Sequence, residues 1–275
     1  MVTAAHLDGW KLWFKGYVSE FLTVDKDFCN IMLMKYDHTL RVCEEIRTIG
    51  DSLNLSEEEQ NIAETIALFH DLGRFDQYRR YRTFADGKSF NHAELSTAII
   101  QEQSLLQQLG AQSRDIICTA ILDHNTVKIP SRGHPASLFF TQLIRDADKL
   151  DIYRIVIGTQ GRGNESVRFP VNLELPDSDD ISPEVIRAVM NRRLVDSHHV
   201  RNLTDFKLLQ IGWIFDINFD HTFNEIASRG YLNLIFGTLP DTDLMRGIRE
   251  TVMDTLYRKI KYASHEKHPA AETMP

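Results

Sequence analysis

The stretch IALFHDLGRF, residues 66–75, decides how the rest of the chain is interpreted. Its first half continues a helical pattern that includes Ile66 and Phe69, and this pattern runs into a histidine next to an aspartate, His70-Asp71. An imidazole and a carboxylate at the end of an apolar helix are two metal ligands of different hardness. A metal site there needs further ligands from other helices.

Candidates for those further ligands lie on or beside other segments of helical periodicity, most of them on the apolar face. They are His38, His92, His124 and Asp148. Transition-metal ions bind several neutral imidazoles together with one or two carboxylates, and helix-bundle cores commonly hold such sites. The sequence therefore predicts a metal site assembled from several helices.

Cap signals mark where several helices begin or end. Ser56 and Glu59 have the form of a capping box, Asn91 is placed as an N-cap, and Ser182 precedes a proline at the first helical position. Gly73 is well placed to end the helix that carries the His-Asp doublet. We expect the chain to be helical nearly throughout.

Residues 74–90 are rich in Arg, Tyr and Phe and lack clear apolar periodicity, so we expect them to form a loop over the site. Arg74 is either a phosphate ligand or a surface arginine after a helix end, where a cation suits the helix dipole. Other polar side chains of this loop would extend an anion-binding surface: Gln77, Arg79, Arg80, Arg82 and Lys88.

The candidate set resembles the HD superfamily of metal-dependent phosphohydrolases. The family pattern is a His, a His-Asp doublet and a distant Asp, with two further His between them in the two-metal branches. In this chain the elements follow in that order as His38, His70-Asp71, His92, His124 and Asp148. Asp148 is preferred to Asp146 and Asp151 because Ala147-Asp148-Lys149-Leu150 matches the family's Ala-Asp-x-Leu; the other two aspartates would be outer-shell partners.

The resemblance covers about residues 25 to 155 and implies an all-α helical bundle. We expect a single helical domain with an HD core at about 25–155, a helical extension at about 156–262 and a flexible tail at 263–275. The extension could be a lid, a dimer surface or a completion of the bundle.

The resemblance also implies the roles of the residues. His38, His70, Asp71 and Asp148 would bind one divalent metal ion; His92 and His124, with Asp71 bridging, would bind a second. Ions about 3.5–4 Å apart would activate a hydroxide that attacks phosphorus. With one ion only, His92 and His124 would contact the substrate or act as a general acid. The expected catalytic residues are Asp71, Arg74 and His124, and the expected substrate-binding residues are Arg74, Gln77, Arg79, Lys88 and Lys149.

The expected function is hydrolysis of a phosphate ester or anhydride of a small, nucleotide-like molecule. A di-iron oxygenase of the same superfamily and a non-catalytic regulatory module remain alternatives, although the complete ligand set argues against the module. The glutamate of the nucleotidase branch and the Gly-Tyr-Pro of the cyclic-di-nucleotide branch are absent, so the substrate stays open. The metal is open as well, among iron, manganese, nickel, cobalt and zinc.

The composition of the chain limits the kinds of binding partner that we expect. The net charge of −8 argues against broad binding to a nucleic-acid polymer or an anionic membrane surface, and favours a small phosphorylated molecule held through metal ions. The 3 cysteines lack metal-binding or disulfide spacing. Neither a secretory signal nor a spanning segment is apparent, so we expect a cytoplasmic protein, with a homodimer as one open possibility.

Overall fold

A computed structural model describes residues 1–130, 135–160 and 175–266, and the regular structure of these residues is entirely helical. The helices are α1 (Ala4–Ser19), α2 (Lys26–Ser52), α3 (Glu57–Phe69), α4 (Leu72–Tyr81), α5 (His92–Glu102), α6 (Ala111–Asp123), α7 (Pro135–Gln160), α8 (Pro183–Met190), α9 (Leu203–Gly212), α10 (Asp220–Ser228), α11 (Tyr231–Phe236) and α12 (Asp243–Glu266). The all-α prediction is confirmed.

The chain groups into two compact units, Met1–Glu174 and Leu175–Pro275. In the first unit α2 packs against α3 and α7, α4 packs against α5, and α6 packs against α5 and α7. In the second unit α12 packs against α8 and α10. Helix α7 continues past residue 155, where the sequence analysis drew the boundary between core and extension. The division into one core and one extension stays a prediction.

Helix α3 is the central helix of the first unit. Every residue from Gln60 to Phe69 is buried, which is typical of a helix surrounded by others. Its start is the predicted capping box: the Glu59 carboxylate accepts from the backbone N–H of Ser56 at 2.8 Å, and the Ser56 hydroxyl accepts from the backbone N–H of Glu59 at 3.4 Å. The doublet that follows α3 therefore lies in the protein interior.

Residues 72–81 form helix α4, so the prediction of a loop from Arg74 to Phe90 is wrong for its first half. The apolar pattern is hard to see because polar side chains, Asp76 and Gln77, are buried beside Phe75. Arg79 and Arg80 both pair with Asp76 one turn earlier, which supports the helix. The true loop runs from Arg82 to Asn91 and contains a 3₁₀ turn, Asp86–Lys88.

Gly73 does not end α3; it is the second residue of α4. Helix α3 ends because Asp71, at φ −108° and ψ 15°, leaves the helical backbone conformation. A Cβ atom on Gly73 would lie 2.3 Å from the carbonyl oxygen of His92, so this glycine permits the close approach of α4 to α5. Its backbone N–H donates to the hydroxyl of Ser96 at 2.9 Å, which fastens the two helices.

The remaining helix starts agree with the cap signals. Asn91 caps α5 by accepting from the backbone N–H of Ala93 at 2.9 Å, and α8 begins at a proline after Ser182. Helix α12 runs past Ala263, the first residue of the predicted tail, to Glu266; the rest of that tail lies outside the described residues. Within the described part of the chain, no helix is long and apolar enough to cross a membrane.

Candidate metal centre

The doublet from the end of α3 meets side chains of α2 and α7. His38 Nε2 and His70 Nε2 each lie 3.6 Å from Asp71 Oδ2. Asp148 Oδ1 approaches the same two nitrogens, at 3.2 Å from His38 and 3.7 Å from His70. Three of these residues form a group whose potential ligand atoms all lie within 4.8 Å of one another: His38, His70 and Asp71.

The other carboxylate oxygen of Asp71 faces α5 and α6. His92 Nε2 lies 3.4 Å from Asp71 Oδ1 and 3.1 Å from His124 Nε2. These three residues form a second group of the same dimensions. Asp71 thus belongs to both groups and offers one oxygen to each, which is the geometry of a bridging ligand.

Each of the four histidines is held through its Nδ1 atom. Nδ1 of His70 lies 2.7 Å from the carbonyl oxygen of Ala67, and Nδ1 of His124 lies 2.6 Å from that of Ile121. A carbonyl oxygen can only accept, so Nδ1 of both rings carries the proton. In each ring the lone pair is therefore on Nε2, the atom that faces the cluster.

The other two rings are held by carboxylates. Nδ1 of His38 donates to Asp151 Oδ2 at 2.6 Å, and Nδ1 of His92 donates to Asp86 Oδ2 at 2.8 Å. Two N–H groups of Arg41 donate to Asp151, at 2.5 and 2.9 Å. Such outer contacts fix the tautomer of a metal-ligating histidine and make the imidazole a better ligand.

The inward atoms lack hydrogen-bond partners among the described residues. His38 Nε2 and His70 Nε2 are buried without one, and His92 Nε2 meets another lone pair, that of His124. Buried polar atoms are nearly always satisfied, so acceptors that face only acceptors need a cation. Neutral imidazoles with carboxylates are the donor set of divalent transition metals, and each of the two groups of residues could hold a metal ion.

The protonation of the cluster fits the same conclusion. Burial and the neighbouring His92 and His70 lower the pKa of His124 to about 3, so this ring is neutral at pH 7. Burial also lowers the pKa of His92. Burial alone would raise the pKa of Asp71, but Lys35, His70 and Arg74 outweigh it and hold that pKa well below its ordinary value. His92, His124 and Asp71 are thus in the forms that bind metal, whereas the neighbouring carboxylates of Asp71 and Asp148 outweigh burial and raise the pKa of His70.

Arg74 lies in the first turn of α4, and its side chain is only 17% exposed, so the surface alternative does not hold. One terminal nitrogen donates to the Phe84 carbonyl oxygen, to Asp86 Oδ1 and to the side-chain oxygen of Gln77, at 2.6 to 2.9 Å. Its Nε lies 3.4 Å from Asp71 Oδ1. Arg74 thus joins the metal-ligand cluster to the loop before α5.

The other predicted substrate-binding residues have different surroundings. Gln77 is fully buried, and its amide donates to Asp86, Ser89 and the Phe90 carbonyl oxygen, so it holds the loop. The half-exposed Arg79 pairs with Asp76, Lys88 is exposed in the 3₁₀ turn, and Lys149 is buried in α7, where its ammonium donates to the Arg145 carbonyl oxygen. Their role as substrate ligands stays a prediction.

Sequence reasoning missed two residues that contact the cluster. Lys35 Nζ donates to Asp71 Oδ2 at 2.6 Å, and Asp86 holds both Arg74 and His92. Lys35 had a usable signal, because it precedes His38 by three residues and so shares its helix face. Asp86 had no such signal in the sequence, because the path of the loop decides which side chains the Asp86 carboxylate contacts.

The family model of the HD domain matches residues 36–153, a range that includes all six candidate ligands. The chain carries an HD domain. Comparison with curated proteins and with solved structures found no significant match. HD domains are in general metal-dependent phosphohydrolases, and the buried His/Asp cluster of this HD domain is suited to bind metal.

Proposed function

We propose that this protein is a metal-dependent phosphohydrolase that holds two divalent transition-metal ions. One ion is assigned to His38, His70, Asp71 and Asp148, and the other to Asp71, His92 and His124. The proposed substrate is a small, nucleotide-like molecule whose phosphate ester or anhydride bond is hydrolysed. The observation that carries the proposal is the convergence of four imidazole Nε2 atoms on a carboxylate shared by both groups.

Divalent ions at such a site supply a hydroxide nucleophile at neutral pH and neutralise the charge on phosphoryl oxygens. The protein residues provide the positioning. Asp71 presents one oxygen to each group, and Asp86 and Asp151 fix the orientation of His92 and His38. All of the ligands lie in helices or at helix ends of one unit, so helix packing largely sets the geometry.

Arg74 is the residue that we assign to the phosphoryl group. Its guanidinium lies beside the shared carboxylate, and guanidinium groups bind phosphate oxygens with several N–H donors. The partly exposed side chains of the cluster are Arg74 at 17%, Lys35 at 14% and Asp148 at 20%. A substrate can approach the cluster where these side chains reach solvent.

The test combines metal analysis with hydrolysis assays on the full chain. We expect about two metal ions per chain, and release of product from generic phosphomonoesters or phosphodiesters with the metal that is found. Asp71→Asn should lose both ions and the activity, because both groups share this carboxylate. Asp8→Asn, an exposed aspartate in α1, is the matched control and should keep both.

Two outcomes would overturn the proposal. A chain that binds no metal even after reconstitution would remove its basis. A chain that binds two irons, gives a mixed-valence iron signal and hydrolyses none of the phosphate esters would be an oxygenase of the same superfamily.

A further inference from the structure

Lys35 is a partly buried lysine beside the candidate metal ligands that the metal-ligand pattern does not explain. It lies one helical turn before His38 in α2, and its side chain is 14% exposed. Its ammonium donates to Asp71 Oδ2 at 2.6 Å and lies 5.4 Å from the ring centre of Phe84. Removing much of a lysine side chain from water costs conformational entropy and solvation free energy, so the contacts of Lys35 with Asp71 and Phe84 must offset that cost.

Arg74 approaches the same carboxylate from its other oxygen. Arg74 Nε lies 3.4 Å from Asp71 Oδ1, and the centre of its guanidinium lies 5.9 Å from the same Phe84 ring. Lys35 and Arg74 therefore form a cationic pair, which flanks the carboxylate that both metal groups share and rests against one aromatic ring. Cations at this distance from a ring are attracted to its face.

The cationic pair keeps donors that the protein does not use. An ammonium has three N–H donors, and Asp71 is the one hydrogen-bond partner of Lys35 among the described residues. Arg74 Nε is buried and has no hydrogen-bond partner in the described part of the chain. These donors lie next to the metal ligands, where the phosphoryl group of a substrate would bind.

Charge defines which phosphoryl group suits this arrangement. The negative charges of Asp71 and Asp148 balance only part of the positive charge of two divalent ions. If Asp71 binds these ions, the positive charge of Lys35 is left without its counter-charge. Arg74 is partly balanced by Asp86. A site with excess positive charge binds a dianion better than a monoanion. A terminal phosphate is a dianion near neutral pH, whereas a phosphodiester is a monoanion.

We propose that Lys35 is a substrate-binding residue whose ammonium donates to an oxygen of a terminal, dianionic phosphate group, and that it makes the site prefer phosphomonoesters to phosphodiesters. This inference rests on the proposed phosphohydrolase function. It names a residue and a substrate class beyond the metal ligands.

The experiment uses the metal-loaded full chain and inorganic phosphate as the probe. Phosphate affinity is measured by calorimetry for the wild type, Lys35→Met and Lys35→Arg. Lys26→Met is the matched control, an exposed lysine at the start of the same helix. Lys35→Met should weaken phosphate binding about ten- to hundredfold, the usual effect of a lost charge-assisted hydrogen bond. Lys35→Arg should retain most of the affinity, and Lys26→Met all of it.

A second measurement compares hydrolysis of an aryl phosphomonoester with that of the corresponding diester. Lys35→Met should lower kcat/KM for the monoester by a factor similar to the loss in phosphate affinity, and should change the diester much less. A purely structural Lys35, which only balances Asp71, would alter metal affinity but neither the phosphate affinity of the metal-saturated protein nor the ratio of the two substrates.

The outcomes separate this inference from the proposed function. If metal-saturated Lys35→Met binds phosphate as tightly as the wild type does, the proposed role of Lys35 is wrong and the proposed phosphohydrolase function is unaffected. A wild type without bound metal or phosphatase activity overturns the proposed function itself. If Lys35→Met does not bind metal, phosphate affinity is compared between Lys35→Gln and Lys35→Arg instead. A loss of phosphate affinity in Lys35→Gln that Lys35→Arg does not show supports the proposal. Equal phosphate affinity in these two variants overturns it.

Discussion

Gly73→Ala tests the contact that positions α4 against the start of α5. The added Cβ would lie 2.3 Å from the carbonyl oxygen of His92 and 3.0 Å from the backbone nitrogen of Ser96. Real Cβ atoms essentially never come closer than 3.0 Å to another heavy atom, so the two helices must separate by at least about 0.7 Å at this point. The obstacle is backbone, which cannot rotate away as the end of a side chain can.

The cost has two parts of opposite sign. Overpacking of this kind usually destabilises a protein by about 1–3 kcal/mol, whereas alanine in place of glycine inside a helix gains about 0.5–1 kcal/mol. Gly73 lies in the first turn of its helix, where the gain is at the low end. We expect a net destabilisation of about 1–2 kcal/mol, which lowers Tm by roughly 2–8 °C in a unit of this size.

The displaced backbone belongs to a metal ligand, so the substitution should also weaken metal binding. His92 is the first residue of α5, and its shift moves Nε2 away from Asp71 and His124. The assays are thermal unfolding and metal content per chain. Gly9→Ala is the control, because a Cβ there meets nothing within 4 Å, and it should leave metal content unchanged and stabilise slightly. If Gly73→Ala is as stable as Gly9→Ala and binds as much metal, the proposed tight contact does not exist.

Two further predictions concern the metal ligands. Asp86→Asn should lower the affinity for the ion held by His92 about 10- to 100-fold, because it removes the charged acceptor of the His92 Nδ1–H. Asp151→Asn should lower the affinity for the ion held by His38 in the same way. Calorimetric titrations with metal measure both affinities, and an equal loss at both sites in each variant would contradict this assignment. A chelator should lower the Tm of the metal-loaded chain by roughly 5–10 °C, since a ligand present at 100 times its Kd contributes about 2.7 kcal/mol, and an unchanged Tm would show that metal does not bind the native state.

Local signals in the sequence were enough to predict several helix starts and the ligand order. Ser56 and Asn91 each cap a helix through atoms within a few residues, so their effect is independent of the rest of the fold, whereas the Ser182 hydroxyl donates to the distant Asp205 and α8 is marked by its first-position proline. The HD pattern likewise depends on order along the chain. Helix α4 was missed because its buried face includes Asp76 and Gln77, which interrupt the apolar periodicity that predicts a helix.

Contacts between distant segments could not be predicted in the same way. Gly73 suggested a helix end because a glycine after an apolar run usually has that role, but its reason here is the position of the His92 carbonyl oxygen, nineteen residues further along the chain. The pairing of Lys35 with Asp71 spans a longer gap of 36 residues. Both depend on how α2, α4 and α5 pack, which residue types alone do not determine.

The charges around the cluster explain why Lys35, and not Arg74, is the residue that can separate metal binding from substrate binding. Burial would raise the pKa of Asp86, but its hydrogen bond to His92 and the charge of Arg74 lower it, so Asp86 stays an ionised acceptor. Removing Arg74 would therefore disturb the orientation of His92 and the path of the loop, in addition to any contact with phosphate. Among the described residues Lys35 hydrogen-bonds only to Asp71, and its ammonium lies 5.4 Å from the centre of the Phe84 ring in the loop. Once metal ions neutralise that carboxylate, the effect of substituting Lys35 reports chiefly on the anion that binds beside it.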